Sequence, residues 1–311
     1  DHLSLEEADV YKKPTVLKDD ESLAEQLDKM NKYAKMSVTY QFGDSTETLN
    51  GDQIHAWLIA NADGSVSVDS SKVSEYVSEM AKAHNTSNKA KTLKTSYGST
   101  IQVSGGTYGW KINQAAETEA LAAIIASGES TTREPEYSQK GASRTGNDYG
   151  NTYVEINLTA QHLYFYVKGK LVVQSDFVSG NAAKGWSTPA GAYSITYKQR
   201  NATLKGQGYA TPVSYWMPFN GGVGIHDAKW RASFGGTLYQ GNGSHGCVNT
   251  PWDQAGIIFD NIEIGTPIVV YKSSINQGTG SVAISQPAET RVINEQLSLI
   301  HISEPTRRSY I

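Results

Sequence analysis

A lone cysteine, Cys247, and two histidines close to it, His226 and His245, are the residues whose types and spacing could carry covalent chemistry. A thiolate is the reactive form of cysteine, and an imidazole is the usual base that generates it near neutral pH. With no second cysteine, an internal disulfide and any multi-thiolate zinc site are excluded. Cys247 is then either a packed thiol or a reactive one. It sits in Ser244-His245-Gly246-Cys247-Val248-Asn249, a polar, glycine-flanked run unlike a core segment. Gly246 lacks a Cβ, so backbone N–H groups can converge beside the sulfur. Thr250, Pro251 and Asp253 have the spacing of an N-cap, a first-turn proline and a capping-box acid. They predict a helix just after the cysteine, whose positive end would favour a thiolate. His226 lies in Gly224-Ile225-His226-Asp227, where a short strand would deliver it to a loop. Asp227, through its carbonyl or its carboxylate, is the group placed to fix the imidazole tautomer.

These residues need a scaffold, and the patterning supplies two kinds. Leu23, Leu27, Met30 and Ala34 recur at helical spacing behind Asp19 and Asp20, and Val73, Val77, Met80 and Ala81 form a second stripe over 71–83. A third helix fits 114–126, closed by Gly128. Asn61-Ala62-Asp63-Gly64 reads as an Asx turn before an alternating strand at Val66 and Val68. Residues 129–150 turn polar and read as a linker. Beyond them Val154, Ile156 and Leu158, then Leu163, Phe165 and Val167, then Leu171 and Val173 alternate as an antiparallel meander through a Lys168-Gly169-Lys170 turn. Further strands fit 193–197 and 267–271, and the glycine-rich stretch 206–246 predicts long loops. The expected organisation is an N-terminal α+β domain over 1–128, a linker over 129–150, a mainly β domain over 151–273 and a polar tail over 274–311. The last residues of that tail lack any pattern of protein design, and we exclude them from the fold as disordered or artefactual.

The chain's 311 residues suit two domains, and a net charge of −4 argues against nucleic-acid binding. Eighteen tyrosines suit half-buried strands better than sugar stacking. The longest apolar run, Ala120 to Ala126, is too short to span a membrane. The chain begins at Asp1, and we read it as a fragment or processed form.

His226, seventeen intervening residues and then Ser-His-Gly-Cys-Val-Asn resemble the signature of the L,D-transpeptidase (YkuD-type) catalytic domain. Asn157-Leu158-Thr159-Ala160-Gln161-His162-Leu163, the Val167-Lys168-Gly169-Lys170 turn and Ser187-Thr188-Pro189-Ala190-Gly191-Ala192-Tyr193 match the same family in order and spacing, over residues 151–273. The N-terminal half more loosely resembles the peptidoglycan-binding domain that precedes it, through Gly105-Gly106-Thr107-Tyr108-Gly109-Trp110.

The resemblance implies a β-sandwich with one or two short helices and no cofactor or metal. It implies that Cys247 attacks the carbonyl before the terminal D-Ala of a peptidoglycan stem tetrapeptide. D-Ala leaves, and a neighbouring stem's amine resolves the thioester into a three-to-three cross-link. Carried over, His226 is the base, Asp227 its orienter, and the N–H groups of Gly246 and Cys247 the oxyanion hole. Ser244, His245 and Asn249 shape the site, and Tyr215 and Trp216 lie on a lid over the substrate groove. Carbapenems become covalent inhibitors, and the place of work is the wall side of a bacterial membrane, with an anchor upstream of Asp1. Rival readings are an L,D-carboxypeptidase, a papain-like wall endopeptidase, a metal site on His226, His245 and Cys247, and an inactive wall-binding protein. Chain order speaks against the papain-like reading, because in that class cysteine precedes histidine.

Overall fold

A computed structural model describes residues 21–206 and 208–273. The chain runs through α1 (Glu21–Ala34), β1 (Val38–Phe42), β2 (Ser45–Leu49), α2 (Gly51–His55), β3 (Leu58–Ala60), β4 (Val66–Val68) and α3 (Ser70–His84). Then come β5 (Lys91–Lys94), β6 (Thr100–Val103), β7 (Lys111–Ile112), α4 (Gln114–Ser127), β8 (Thr131–Arg133) and β9 (Tyr137–Gln139). It continues with β10 (Tyr153–Asn157), β11 (His162–Val167), β12 (Lys170–Asp176), β13 (Gly191–Ser194), β14 (Gln199–Gly206) and β15 (Tyr209–Asn220). Last are β16 (Val223–Asp227), α5 (Tyr239–Asn242), β17 (Val248–Thr250), α6 (Trp252–Asn261) and β18 (Pro267–Tyr271).

Two compact units form. The first holds the described residues up to Asn85 together with Trp110–Lys140. Its helices start where side chains cap them: Asp69 accepts from Ser71 N, and Asn113 from Ala116 N. Gly128, at φ 66°, closes α4 in the left-handed region that only glycine enters freely. Val73 and Val77 of α3 and Leu121 and Ile125 of α4 bury against Val38, Tyr40 and Phe42 of β1. Glu117 is fully buried, accepting from Tyr40 Oη at 2.5 Å, Glu136 N at 2.6 Å and Arg133 Nη1 at 3.1 Å. The stripe expected on the first helix is only partly covered, with Leu23 and Leu27 exposed.

The boundaries expected from composition do not coincide with these units. Residues of the expected linker are sheet strands, β8 pairing in parallel with β1 and β9 antiparallel with β7. Their polar side chains tolerate an edge position, so composition reads them as loop. Gly105 and Gly106, expected in the N-terminal domain, pack instead on β13. Ala192 N donates to Gly105 O, and Tyr108 N to Ala192 O, both at 3.0 Å. A Cβ on Gly106 would lie 2.0 Å from the Ala192 oxygen, so no larger residue fits that crossing. The expected tail, 274–311, lies outside the described residues.

The second unit comprises Thr86–Gly109 and the described residues from Gly141 onward. One sheet has the order β12-β11-β10-β18-β13, with β10 and β18 parallel; a second runs β14-β15-β16-β17, and β5 and β6 pair as an antiparallel hairpin. The meander turn holds Lys168 and Gly169 at φ 51° and 79°, the left-handed pair that a two-residue hairpin requires. Ile156, Leu163 and Phe165 of the first sheet, Met217, Ile225 and Val248 of the second, and Ile258 and Phe259 of α6 form one core. The fold is the expected pair of an α+β domain and a mainly β domain with few helices. In the glycine-rich stretch, however, the twelve-residue β15 replaces much of the expected loop. Ladder pairing with β14 and β16 on both sides holds it.

Candidate active site

Two parallel strands place the chemistry. β16 pairs with β17 in the register Ile225↔Val248, His226↔Asn249 and Asp227↔Thr250. Side chains alternate along a strand, so Cys247, just before β17, shares a face with Asn249 and with His226 on the neighbouring strand. His226, Cys247 and Asn249 all line one cavity of about 230 Å³.

His226 is buried, with Trp216 and Trp230 ring centroids 5.9 and 6.0 Å from its own. Its Nδ1–H donates to the Asp227 carbonyl at 2.9 Å, which leaves Nε2 as the basic nitrogen. Of the two ways Asp227 could orient the ring, the carbonyl is the one used; its carboxylate accepts from Tyr215 N at 2.8 Å. Hydrogen bonding orients the Asn249 amide so that its NH2 meets His226 Nε2 at 3.1 Å. Its oxygen then accepts from Arg231 Nε at 2.8 Å and Nη2 at 3.3 Å. Burial pushes the imidazole pKa below its ordinary value, the Asp227 carbonyl and carboxylate oppose that, and Arg231 adds to it. Burial thus favours the neutral form of the imidazole, the form that can accept a proton.

Cys247 is half-buried against the cluster of Ala202, Val213 and Trp216. Its thiol faces the Gly222 carbonyl at 3.5 Å. Desolvation there pushes the thiol pKa up, and the backbone of Gly224 only partly opposes this. The sequence pointed the other way, to a thiolate at a helix start. α6 begins at Trp252, separated from the cysteine by β17, and its N-cap is Pro251 with no side-chain cap bond. Thr250 is buried in β17, its hydroxyl turned to the Val248 carbonyl. The segment after Cys247 pairs with β16, so it cannot be the first turn of a helix.

The turn carrying the cysteine is fastened from inside. Ser244 Oγ donates to the Cys247 carbonyl at 2.6 Å and accepts from Gly246 N at 3.0 Å. That bond occupies the Gly246 N–H expected in an oxyanion hole. Gly246 itself, at φ 122°, is in a conformation that favours glycine. Buried Thr188 accepts from Gly180 N at 3.0 Å and donates to the Gly246 carbonyl at 2.7 Å. Ser244 N donates to Ser179 O, and Asn181 N to Ser244 O. Gln161, at φ 52°, holds Ser179 through both ends of its amide. The motif residues Gln161 and Thr188 thus meet at the turn that carries Cys247.

Two residues expected on a lid are strand residues. Tyr215 and Trp216 are not on a lid: both belong to β15. Tyr215 packs against Trp252 and Phe259 of α6, and Trp216 is buried beside His226. The rim aromatics are Tyr209 and Trp230, with Trp186 nearby. His245 stacks between Trp186 at 4.2 Å and Tyr209 at 4.6 Å. That stack turns its ring to packing, and among the described residues no three His, Cys, Asp or Glu side chains converge as metal ligands would. Nothing in the sequence marks Arg231, Trp230 or Tyr209 as site residues. Arg231 and Trp230 follow His226 in a loop without periodicity, and Tyr209 is one tyrosine among eighteen.

The chain is similar to known L,D-transpeptidases. The L,D-transpeptidase catalytic domain family (YkuD) matches residues 151–270, and a peptidoglycan binding domain family matches residues 19–133. The Ldtfm–avibactam carbamoyl enzyme is 38% identical, covering 81% of this chain and 99% of that one, at a TM-score of 0.69. A cysteine-to-serine mutant of the Enterococcus faecium L,D-transpeptidase is 37% identical, covering 79% of this chain and 100% of that one, at a TM-score of 0.67. No curated protein matches the chain. The chain belongs to the L,D-transpeptidase family, with a catalytic domain preceded by a peptidoglycan binding domain.

Proposed function

We propose that Cys247 is the nucleophile of a peptidoglycan three-to-three cross-linking reaction and that His226 is its base. The observation that carries this is the placement of both on one face of paired strands, opening into one cavity, with the His226 tautomer fixed by the Asp227 carbonyl. The thiol meets the substrate protonated, because its pKa is raised, so attack needs proton transfer to Nε2 as the S–C bond forms. Asn249 holds the same lone pair in the resting site and yields it when the thiol turns inward. The tetrahedral oxyanion forms beside the Cys247 N–H, since Ser244 already engages that of Gly246. As the C–N bond breaks, the proton on Nε2 passes to the departing D-Ala amine. An acceptor stem's amine then enters, gives its proton to His226, attacks the thioester and releases the thiolate, which recovers the proton. The avibactam carbamoyl enzyme of the relative supports a site that can be covalently carbamoylated. Carbapenems fit the same chemistry. The substrate puts the work on the wall side of a bacterial membrane.

The test is incubation with disaccharide-tetrapeptides. The expected product is a dimer whose donor stem has lost its terminal D-Ala. Free tripeptide stems without dimers would assign an L,D-carboxypeptidase instead, and unchanged substrate would leave a wall-binding protein.

A further inference from the structure

Among the described residues that line the cavity of His226 and Cys247, Arg231 is the one Lys or Arg. It also lines a second cavity of about 360 Å³, bounded by Trp230, Ser233, Leu238 and Asn242. Its guanidinium is half-buried, and burial pushes its pKa down with no neighbouring carboxylate to oppose that. Among the described residues no Asp or Glu forms an ion pair with it, whereas Arg133 pairs with Glu117 and Glu136 and Arg200 with Asp260. Two of its donors meet the Asn249 oxygen. A guanidinium carries five N–H donors, so capacity remains for a planar acceptor. A half-buried cation with no anionic partner, opening on two cavities, is a site for an anion.

Its position says which anion. Asn249 spans the gap between Arg231 and His226 Nε2, so the guanidinium lies one amide width beyond the base nitrogen. In the proposed reaction Nε2 protonates the amine of the departing residue. That residue's carboxylate carbon is two bonds from the amine, about 2.5 Å away. An amine within hydrogen-bond reach of Nε2 thereby brings a free terminal carboxylate toward Arg231.

We propose that Arg231 binds the free α-carboxylate of the residue released from the donor stem, making it the specificity determinant for a donor whose scissile bond is the last in the peptide. This rests on the cysteine transpeptidase reading above. It means that a donor extended by one residue, or blocked at its C-terminus, loses the ion pair at the point where the amine must be protonated.

The experiment compares one tetrapeptide donor with its C-terminal amide, measuring kcat/KM for release of the fourth residue. The wild-type protein is expected to prefer the carboxylate by about 10–100-fold, the range of a hydrogen bond between charged groups. Arg231→Met is expected to slow both donors, since Asn249 loses its anchor, and to bring their ratio close to one. Arg231→Lys, with charge but no fork, should keep an intermediate ratio. Alkylation of Cys247 by neutral iodoacetamide reports whether the thiol site of each variant is intact. A wild-type ratio near one overturns the proposal while leaving the transpeptidase reading in place. So does an unchanged preference in Arg231→Met. Failure of the wild-type protein to process either donor overturns the reaction itself, and this assignment with it.

Discussion

His226 and His245 are two histidines near one cysteine, and their surroundings give them different work. His226 is buried, its tautomer held by the Asp227 carbonyl, on the same face as Cys247. His245 is a stacked ring between Trp186 and Tyr209. His226→Ala should therefore reduce acylation of Cys247 by on the order of 10²–10⁴, the range for loss of a general base. His245→Ala should only slow it. Equal losses in two folded variants, followed by intact mass over time, would contradict the assignment. The pH profile follows from the same burial. The neutral imidazole is the active form, and its pKa lies below the ordinary 6.5, so acylation should persist as pH falls through 6.5 and decline only below it. The thiol is displaced upward, so in His226→Ala alkylation by iodoacetamide should rise only as pH passes the ordinary 9.0. An acid limb above 6.5 would speak against a buried neutral base.

The elements around the turn explain what was legible beforehand. Cys247, His226 and Gly246 stand out because catalytic residue types in a short polar run are visible in one dimension. The direction of the thiol's pKa was not visible. Thr250, Pro251 and Asp253 have helix-start spacing, yet the pairing of β17 with β16 takes the residues next to the cysteine into a strand. Tyr215 and Trp216 failed as lid residues for a similar reason: twelve residues of β15, rich in aromatic and glycine neighbours, read as loop until both ladders are known. Thr188 was legible as part of a motif but not in its role, which depends on Gly180 and Gly246 arriving from distant segments. Thr188→Val keeps the shape and leaves a buried N–H and C=O unpaired. It should cost about 1–3 kcal/mol in denaturant unfolding and slow acylation on the order of tenfold through a loosened nucleophile turn. Thr188→Ser should restore both.

At the scale of the whole molecule, composition located two domains but not which residues each one gathers. The hairpin of β5 and β6 belongs to the catalytic unit, where Leu93 and Val103 pack with Ala192, Val269 and Tyr271. Ser96, between those strands, donates from N and Oγ to the buried Glu155 carboxylate, which also accepts from Tyr271 Oη. Burial raises the Glu155 pKa, and these bonds oppose that. A fragment starting at residue 151, where the family match begins, lacks Leu93, Val103 and Ser96. It should unfold at a lower temperature than the catalytic unit in the full chain and bind a dye for apolar surface, both readable by calorimetry and fluorescence. An equal midpoint without dye binding would show that the hairpin adds nothing to that core.

In the proposed reaction the Cys247 thiol becomes covalently acylated. Incubating the folded protein with a carbapenem and measuring its intact mass tests that directly. One adduct per chain, absent in Cys247→Ala and nearly absent in His226→Ala, is the predicted result. An unmodified wild-type protein, or an adduct that persists in Cys247→Ala, would contradict it.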